Sequence, residues 1–369
     1  MGNRGPKPNK RKATQDGTAP DSAPSKKAAP VTPASVRAPA APEPTILHSG
    51  PRQYTVSMAL PGSIVENAQS AELRTYLVGQ VARAAAVANV DEIVIYDDRC
   101  EREQSTDHPE SAYVPGQPLT GLFESAARLD DANLFMARVL QYMEAPQYIR
   151  REVFPRHPDL QYAGLLNPLD SPNHVRQDEP SPYREAIVRP KNREDGPCYA
   201  YCGFAKLVRL DRHIAPDVRV TVKMNKPEDL DTKFPMGEVV SPRTPVEKDG
   251  IYWGYQVRLA NSLSKVLSES PYEGGYDLTI GTSERGEPVS KIAEKTRTFK
   301  HVLVMFGGVA GIESAAEPDP EVTGEASKLF DYWINTCPDQ GSRTIRTEEA
   351  ILVSMAALRN TFLSLGVKS

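Results

Sequence analysis

The run Glu92-Ile93-Val94-Ile95-Tyr96 is apolar at every position after the first and ends abruptly at Asp97-Asp98. A short strand without polar alternation belongs to a sheet covered on both faces, which is the habit of parallel sheets. Upstream, Tyr54 to Leu60 is β-rich, and Pro61-Gly62-Ser63 breaks it. Between the two runs, Glu72 to Ala88 has helical spacing, with Leu73, Leu77, Val81, Ala84, Ala85 and Val87 able to share one face. Strand, helix and apolar strand in this order predict a βαβ unit. Arg99 to Ser125 is polar and reads as a loop, and Leu129 to Tyr148 reads as a second helix, with Leu134, Phe135, Ala137, Val139, Leu140, Tyr142 and Met143 supplying contacts.

From about Asp159 the style changes. Short β-rich runs alternate with turn signals: Cys198 to Phe204, Arg219 to Met224, Glu238 to Ser241 and Ile251 to Leu259. This pattern predicts a small antiparallel barrel, of the oligonucleotide-binding type, inserted into an α/β chain. The α/β style then resumes: a helix over Leu259 to Leu267, strands over Tyr276 to Thr282, His301 to Phe306 and Leu329 to Asn335, and a helix over Thr347 to Leu365. The expected organisation is a tail over 1–50, an α/β domain from 51–157 and 258–369, and the oligonucleotide-binding type of barrel over 158–257.

The tail is rich in Pro, Ala, Ser and Lys. It holds too little apolar surface to offset the entropy of ordering it and reads as disordered. Its cations Lys7, Lys10, Arg11, Lys12, Lys26 and Lys27 fit a nuclear-import signal or an RNA-seeking arm. The net charge of −4 puts any nucleic-acid binding into local patches. The barrel segment offers Arg176, Arg184, Arg189, Lys191, Arg193, Lys206, Arg209, Arg212, Arg219 and Lys223, with Tyr199, Tyr201 and Phe204 available for stacking. There is no apolar run long enough for a bilayer and no secretory signal, and four scattered cysteines fit a reducing compartment. Cys198 and Cys202 have the wrong spacing for a zinc knuckle, and no metal site is expected.

Three strands run into glycine-containing loops: Gly281 to Gly286, Phe306-Gly307-Gly308, and Asn335 to Glu349. In an open parallel sheet, ligands bind beyond the carboxyl ends of the strands, and glycine there lets backbone approach a ligand. Neither Gly-x-Gly-x-x-Gly opening a helix nor a P-loop is present, which argues against an ordinary Rossmann enzyme or a P-loop NTPase. In the third loop Thr347 is a plausible N-cap, with Glu348 and Glu349 suiting the helix dipole, whereas Arg343 and Arg346 are left over for phosphate or for holding the loop.

The strings DLTIGTSERG (277–286) and NTCPDQGSRTIRTEEAI (335–351) resemble the SPOUT superfamily. More closely, with VSMALPGSIVENAQSAELRTY (56–76), LLNPLDSPNHVRQ (165–177) and YWGYQVRLA (252–260), the chain resembles a eukaryotic and archaeal branch of RNA methyltransferases that includes a vertebrate centromere- and spindle-associated member. The likeness runs from about Tyr54 to the C-terminus. It implies an α/β SPOUT fold with a C-terminal trefoil knot, an inserted β-barrel, and S-adenosylmethionine as methyl donor. The donor would be held by Gly281, Thr282 and Ser283, by Phe306, Gly307 and Gly308, and by Asn335, Thr336, Cys337, Gly341, Ser342, Arg343, Thr344 and Ile345. Arg285, Arg74, Glu66 and Asn67 are the candidates near the acceptor. The resemblance further implies ribosomal RNA as substrate, uridine N3 being one acceptor, a nuclear or nucleolar location, and a homodimer or a heterodimer with a paralogue through the C-terminal helix. Its rivals are an inactive RNA-binding assembly factor and an adaptor.

Overall fold

The computed structural model describes Gly2 and residues 50–100, 131–190, 196–226, 235–295 and 298–367. The tail over 1–50 (apart from Gly2 and Gly50), the polar loop from 101, the start of the second expected helix, Lys191 and Arg193 lie outside the described residues.

The chain opens with β1 (Thr55–Pro61), a 3₁₀ turn at Gly62–Asn67, α1 (Ala71–Val87), β2 (Glu92–Tyr96), α2 (Ala132–Glu144) and α3 (Arg150–Val153). Then come β3 (Tyr183–Val188), β4 (Tyr199–Tyr201), β5 (Val208–Leu210), β6 (Arg219–Met224), β7 (Met236–Val240) and α4 (Thr244–Asp249). The last part holds β8 (Gln256–Ala260), α5 (Leu263–Ser268), β9 (Leu278–Pro288), α6 (Ser290–Lys295), β10 (His301–Met305), α7 (Gly311–Ala316), β11 (Tyr332–Asn335) and α8 (Thr347–Leu365).

Among the described residues, six strands form a sheet in the order β11-β9-β10-β1-β2-β8, and each neighbouring pair is parallel. Side chains alternate between its faces. Val56, Met58, Leu60, Ile93, Ile95, Val302 and Val304 join a core with α1, α2 and α8, whereas Ala59, Val94, Tyr96, Leu303 and Met305 join a second core with α5 and α7. The fold is therefore mixed α/β with a doubly covered parallel sheet. Ser70 caps α1 by accepting from the Leu73 N–H, and Asp131 caps α2 by accepting from the N–H groups of Asn133 and Leu134. On α1, Leu77, Val81, Ala84 and Ala85 are buried as the spacing predicts, but Leu73 and Val87 are exposed. A helix of this length presents two of its expected face positions past the edge of what it covers.

The other five strands close a barrel in the order β3-β4-β5-β7-β6. β5 and β7 are parallel and the remaining pairs antiparallel. Ile251–Leu259, expected as a barrel strand, instead supplies β8, which pairs with β2 in the parallel sheet. The helix expected from Leu259 begins at Leu263, where Ser262 caps it, and α4 interrupts a stretch read as strand and turn. The strand expected from Leu329 starts at Tyr332, behind a 3₁₀ turn at Ala326–Leu329.

Arg219 ties the barrel to α2. Arg219 on β6 donates to both oxygens of Glu144, the last residue of α2, at 2.7 and 2.9 Å, and its Nε donates to Glu185 on β3 at 2.7 Å. Glu185 also accepts from Thr221 Oγ1 at 2.7 Å and from Trp253 Nε1. Glu144 accepts from Asn173 Nδ2 at 3.1 Å, and its carbonyl accepts from His174 Nε2 at 2.7 Å. Gly254 sits at φ +85°, and a side chain there would meet Glu144 Oε1 at 2.4 Å. Burial, with Arg219 as the main opposing influence, pushes the Glu144 carboxyl up from its ordinary value.

Burial lowers His174 to about pH 4, so the folded protein keeps it neutral where the unfolded chain already binds a proton. Folded and unfolded states differ in protonation between the unfolded value of about 6.5 and about 4, so the stabilisation is present above that window and is lost as pH falls through it. The loss should reach on the order of 3 kcal/mol at its acid end. Urea unfolding at pH 7, 5.5 and 4.5 should show this slope, and His174→Gln should flatten it.

Candidate active site

The carboxyl ends of β1, β2, β9, β10 and β11 bring the three glycine-containing loops to one edge of the sheet. Hydrogen bonds close them into a triangle. Thr282 Oγ1 of the first loop donates to the Met305 carbonyl at the start of the second, at 2.8 Å. Thr347 Oγ1, at the end of the third, donates to the Gly307 carbonyl of the second at 2.9 Å. Asn335 Nδ2 of the third donates to the Glu284 carbonyl of the first at 2.9 Å.

The first loop is a bulge within β9. Trp333 pairs with Gly281, but the next residue, Ile334, pairs with Glu287, so 282–286 is looped out of the ladder. Gly281 is buried against Trp333, whose ring would lie 2.4 Å from an added side-chain carbon. Gly286 backs onto the Ile334 backbone, which would be 2.3 Å away. Ser283 Oγ accepts from the Arg285 N–H at 3.2 Å, and the Arg285 side chain is exposed beside a cleft of about 820 Å³ shared with Trp333 and Asp331.

The second loop turns sharply. Phe306 is buried, and its carbonyl accepts from the Tyr96 hydroxyl at 2.8 Å. Gly311 lies at φ +86° and donates to the Gly308 carbonyl at 3.1 Å, opening α7. Gly307 is pressed against Gly311 and Ile312, whose backbone atoms would lie 2.4 Å from an added side-chain carbon, whereas Gly308 is open: the nearest atoms to an added side-chain carbon are Pro61 Cγ at 3.5 Å, Asp98 Oδ2 at 3.7 Å and Ser63 Oγ at 3.9 Å.

In the third loop, Asn335 Oδ1 accepts from the Cys337 N–H at 2.9 Å, and Thr336 Oγ1 shares a hydrogen bond of 2.7 Å with Ser354 on α8. Cys337 is a free, half-buried thiol. Gly341, Ser342, Arg343 and Thr344 are exposed and Ile345 half-buried. Ser342 Oγ donates to the Thr344 carbonyl at 2.8 Å, and nothing lies within 4 Å of the open side of Gly341. Thr347 is not the N-cap it was expected to be. Arg346 takes that position, Glu349 accepts from the Arg346 N–H at 3.0 Å, and the Thr347 hydroxyl is free to hold the second loop.

The acceptor-side candidates do not form one cluster. Glu66 is exposed and ion-paired with Arg99, and Asn67 is exposed. Arg74 on α1 is not the exposed helix residue its neighbours would allow. It is half-buried, its guanidinium lies 4.3 Å from the Phe135 ring centre, and its Nε and Nη2 have no hydrogen-bond partner among the described residues. Arg285 stands apart from these three, on the β9–β11 side. What the sequence reading missed is the corner at the ends of β1 and β2, where Ser63 Oγ donates to Asp98 Oδ2 at 2.7 Å beside Gly308. The available signal was a carboxylate directly after an apolar parallel strand.

The barrel cations divide. Arg184 is buried, donates to the Cys202, Arg176 and Glu179 carbonyls and lies over Phe204, itself buried. Arg219 is the junction residue, and Arg189 pairs with Glu152. Arg184, Arg219 and Phe204 hold the fold, whereas the Arg189 pair lies partly exposed. Arg212 pairs with Asp211, Lys206 is half-buried, and Arg176, Arg209 and Lys223 are exposed on the surface, with Tyr199 and Tyr201 half-buried. Among the described residues no group of three or more His, Cys, Asp or Glu could hold a metal ion, and no helix is long and apolar enough to cross a membrane.

Residues 55–358 match the protein family described as "Putative RNA methyltransferase". The chain belongs to this RNA methyltransferase family. The human "28S rRNA (uridine-N(3))-methyltransferase" is 50% identical over 320 residues, covering 86% of this chain and 81% of the relative. The Drosophila melanogaster protein of the same name is 45% identical over 313 residues, covering 84% and 62%. A "putative methyltransferase" of Schizosaccharomyces pombe is 30% identical over 324 residues, covering 85% and 95%. Members of the family transfer methyl groups to RNA, so the chain is a methyltransferase that requires a methyl donor and an RNA substrate.

The packing around the loop glycines has a measurable consequence. Gly286→Ala should destabilise the protein by about 1–3 kcal/mol, because backbone cannot yield to the new methyl. Gly341→Ala should stay within about 0.5 kcal/mol of wild type. Chemical denaturation of the two variants side by side checks both values.

Proposed function

We propose that the chain transfers the methyl group of S-adenosylmethionine to N3 of a uridine in large-subunit ribosomal RNA. The observation that carries this reading is the hydrogen-bonded triangle of glycine-containing loops in a chain that is half identical to a uridine-N3 methyltransferase over most of both lengths. The donor supplies an activated sulfonium methyl, so the protein's work is to bind, align and exclude water. Gly308 and Gly341 leave the open sides that such a ligand needs, and the loop backbones supply donors and acceptors for its polar edges. Gly281, Thr282, Ser283, Phe306, Gly307, Asn335, Thr336, Cys337, Ser342, Arg343, Thr344 and Ile345 form the rest of the proposed wall. Arg285 and Arg74 are the proposed cations on the RNA side.

The finer architecture follows from the same reading. The Asn335–Glu284 hydrogen bond, which holds the third loop against the first, supports a trefoil knot as part of this reading. The barrel's strand order and its single parallel pair support an oligonucleotide-binding module, with Arg176, Arg209 and Lys223 as phosphate partners. Leu352 and Val353 on α8, with Leu73 and Tyr76 on α1, are exposed apolar residues on two helices that pack together, and they support pairing with a second copy or a paralogue. A substrate of this kind supports a nuclear or nucleolar location.

Calorimetric titration with S-adenosylhomocysteine tests the donor site. Wild type should bind saturably, and Gly308→Trp, which fills the open side, should lose roughly 100-fold or more in affinity, about 3 kcal/mol. A wild-type protein that gives no binding would contradict the proposal.

A further inference from the structure

A uridine N3 carries a hydrogen, and methyl transfer to it leaves a proton that must go somewhere. Among the candidates named from sequence, Arg74 and Arg285 are cations with no acceptor to offer. Glu66 is on the surface, engaged by Arg99, and Asn67 is an exposed amide. None of them is a base facing the loops.

The glycines of the loops show where an acceptor can come in. Gly281, Gly286 and Gly307 are closed by atoms 2.3–2.4 Å from an added side-chain carbon. Gly308 is open toward a corner built by the ends of β1 and β2, and the charged group at that corner is Asp98, with Oδ2 3.7 Å from that carbon's position. One contact fixes the carboxylate, and another fixes the loop beside it. Ser63 Oγ donates to Oδ2 at 2.7 Å, which leaves Oδ1 without a partner among the described residues. Two residues earlier, the buried Tyr96 hydroxyl donates to the Phe306 carbonyl at 2.8 Å, which ties the end of β2 to the loop that holds Gly308. Neighbouring Asp97 is buried and accepts from the Arg99 N–H at 3.0 Å, and it is not among the atoms nearest Gly308.

We infer that Asp98 is the general base of the methyl transfer and that Ser63 is its positioning residue, an assignment that rests on the methyl-transfer reading of this site. The N3–H bond breaks and its proton passes to Asp98. The electron pair left on N3 forms the new bond to the methyl carbon, and the pair of the broken carbon–sulfur bond returns to sulfur. The Asp98 carboxylic acid then gives its proton to water.

The test uses the full chain with S-adenosylmethionine and large-subunit ribosomal RNA from cells lacking the enzyme, in single turnover across a pH series, beside S-adenosylhomocysteine titrations. Asp98→Asn should bind S-adenosylhomocysteine as wild type does and transfer methyl roughly 100-fold or more slowly at neutral pH. Its rate should climb with pH as the substrate N3 ionises by itself, whereas the wild-type rate levels off. Ser63→Ala should show a smaller loss with wild-type donor affinity. An Asp98→Asn protein with the wild-type rate would overturn the assignment, as would a slow one whose rate does not recover at high pH or whose donor affinity falls in parallel. A wild type that neither binds S-adenosylhomocysteine nor methylates RNA would overturn the methyl-transfer reading itself, and that result is distinct from a failure of Asp98 alone.

Discussion

β1 lies between β2 and β10, with Thr55 opposite His301 and Ala59 opposite both Met305 and Val94. The sheet and the loops at its edge are arranged around this pairing of the first strand with the last third of the chain. Because all six strands are parallel, Pro61, Tyr96, Ala260 and Met305 end at one edge, and loops more than 200 residues apart in sequence meet there. The polar interior at the other end anchors the register. Glu92 accepts from Ser57 Oγ at 2.7 Å, from Arg258 Nε at 2.9 Å and from the Tyr276 hydroxyl at 2.7 Å, so one buried carboxylate binds β1, β2, β8 and the approach to β9. A buried charge of this kind is tolerated only when its partners are all in place, and that requirement disfavours any shifted pairing.

The barrel leaves the sheet after α2 and returns at β8, and the junction is polar. Arg219 stands between Glu144 and Glu185, so a residue that sequence reading assigned to RNA sets how the inserted module is attached. Removing the arginine would leave two buried carboxylates facing each other. The same logic applies to Arg184, whose donors end on backbone carbonyls. Of the cations that sequence reading gave to RNA, these two act inside the protein, and Arg209 and Lys223 face solvent.

Much of the sheet was legible. Apolar runs without alternation mark β2 and β10, and the glycines within β9 and after β10 mark the loop edge. The barrel was legible as a change of style. What failed did so for physical reasons. Gln256–Ala260 has a composition that fits a barrel strand as well as a buried parallel strand, and only its partner, β2, decides between them. α4 is six residues long with proline in its first turn, too short to show a period. Arg74 and Arg219 show that a charge in a string of residues carries no record of the ring or carboxylate it will meet. Within the candidate site, the glycine loops were visible, but which glycines are packed shut and which stay open depends on Trp333, Ile334 and Gly311, and this arrangement exists only in three dimensions.

The proposed activity is methylation of uridine N3 in ribosomal RNA at this edge of the sheet. The most direct measurement is to incubate the purified protein with isotopically labelled S-adenosylmethionine and unmodified large-subunit ribosomal RNA, then digest the RNA and identify the labelled nucleoside by mass spectrometry. Label is expected in N3-methyluridine. Label in a ribose-methylated or other base-methylated nucleoside, or no label with a donor-binding protein, would contradict it.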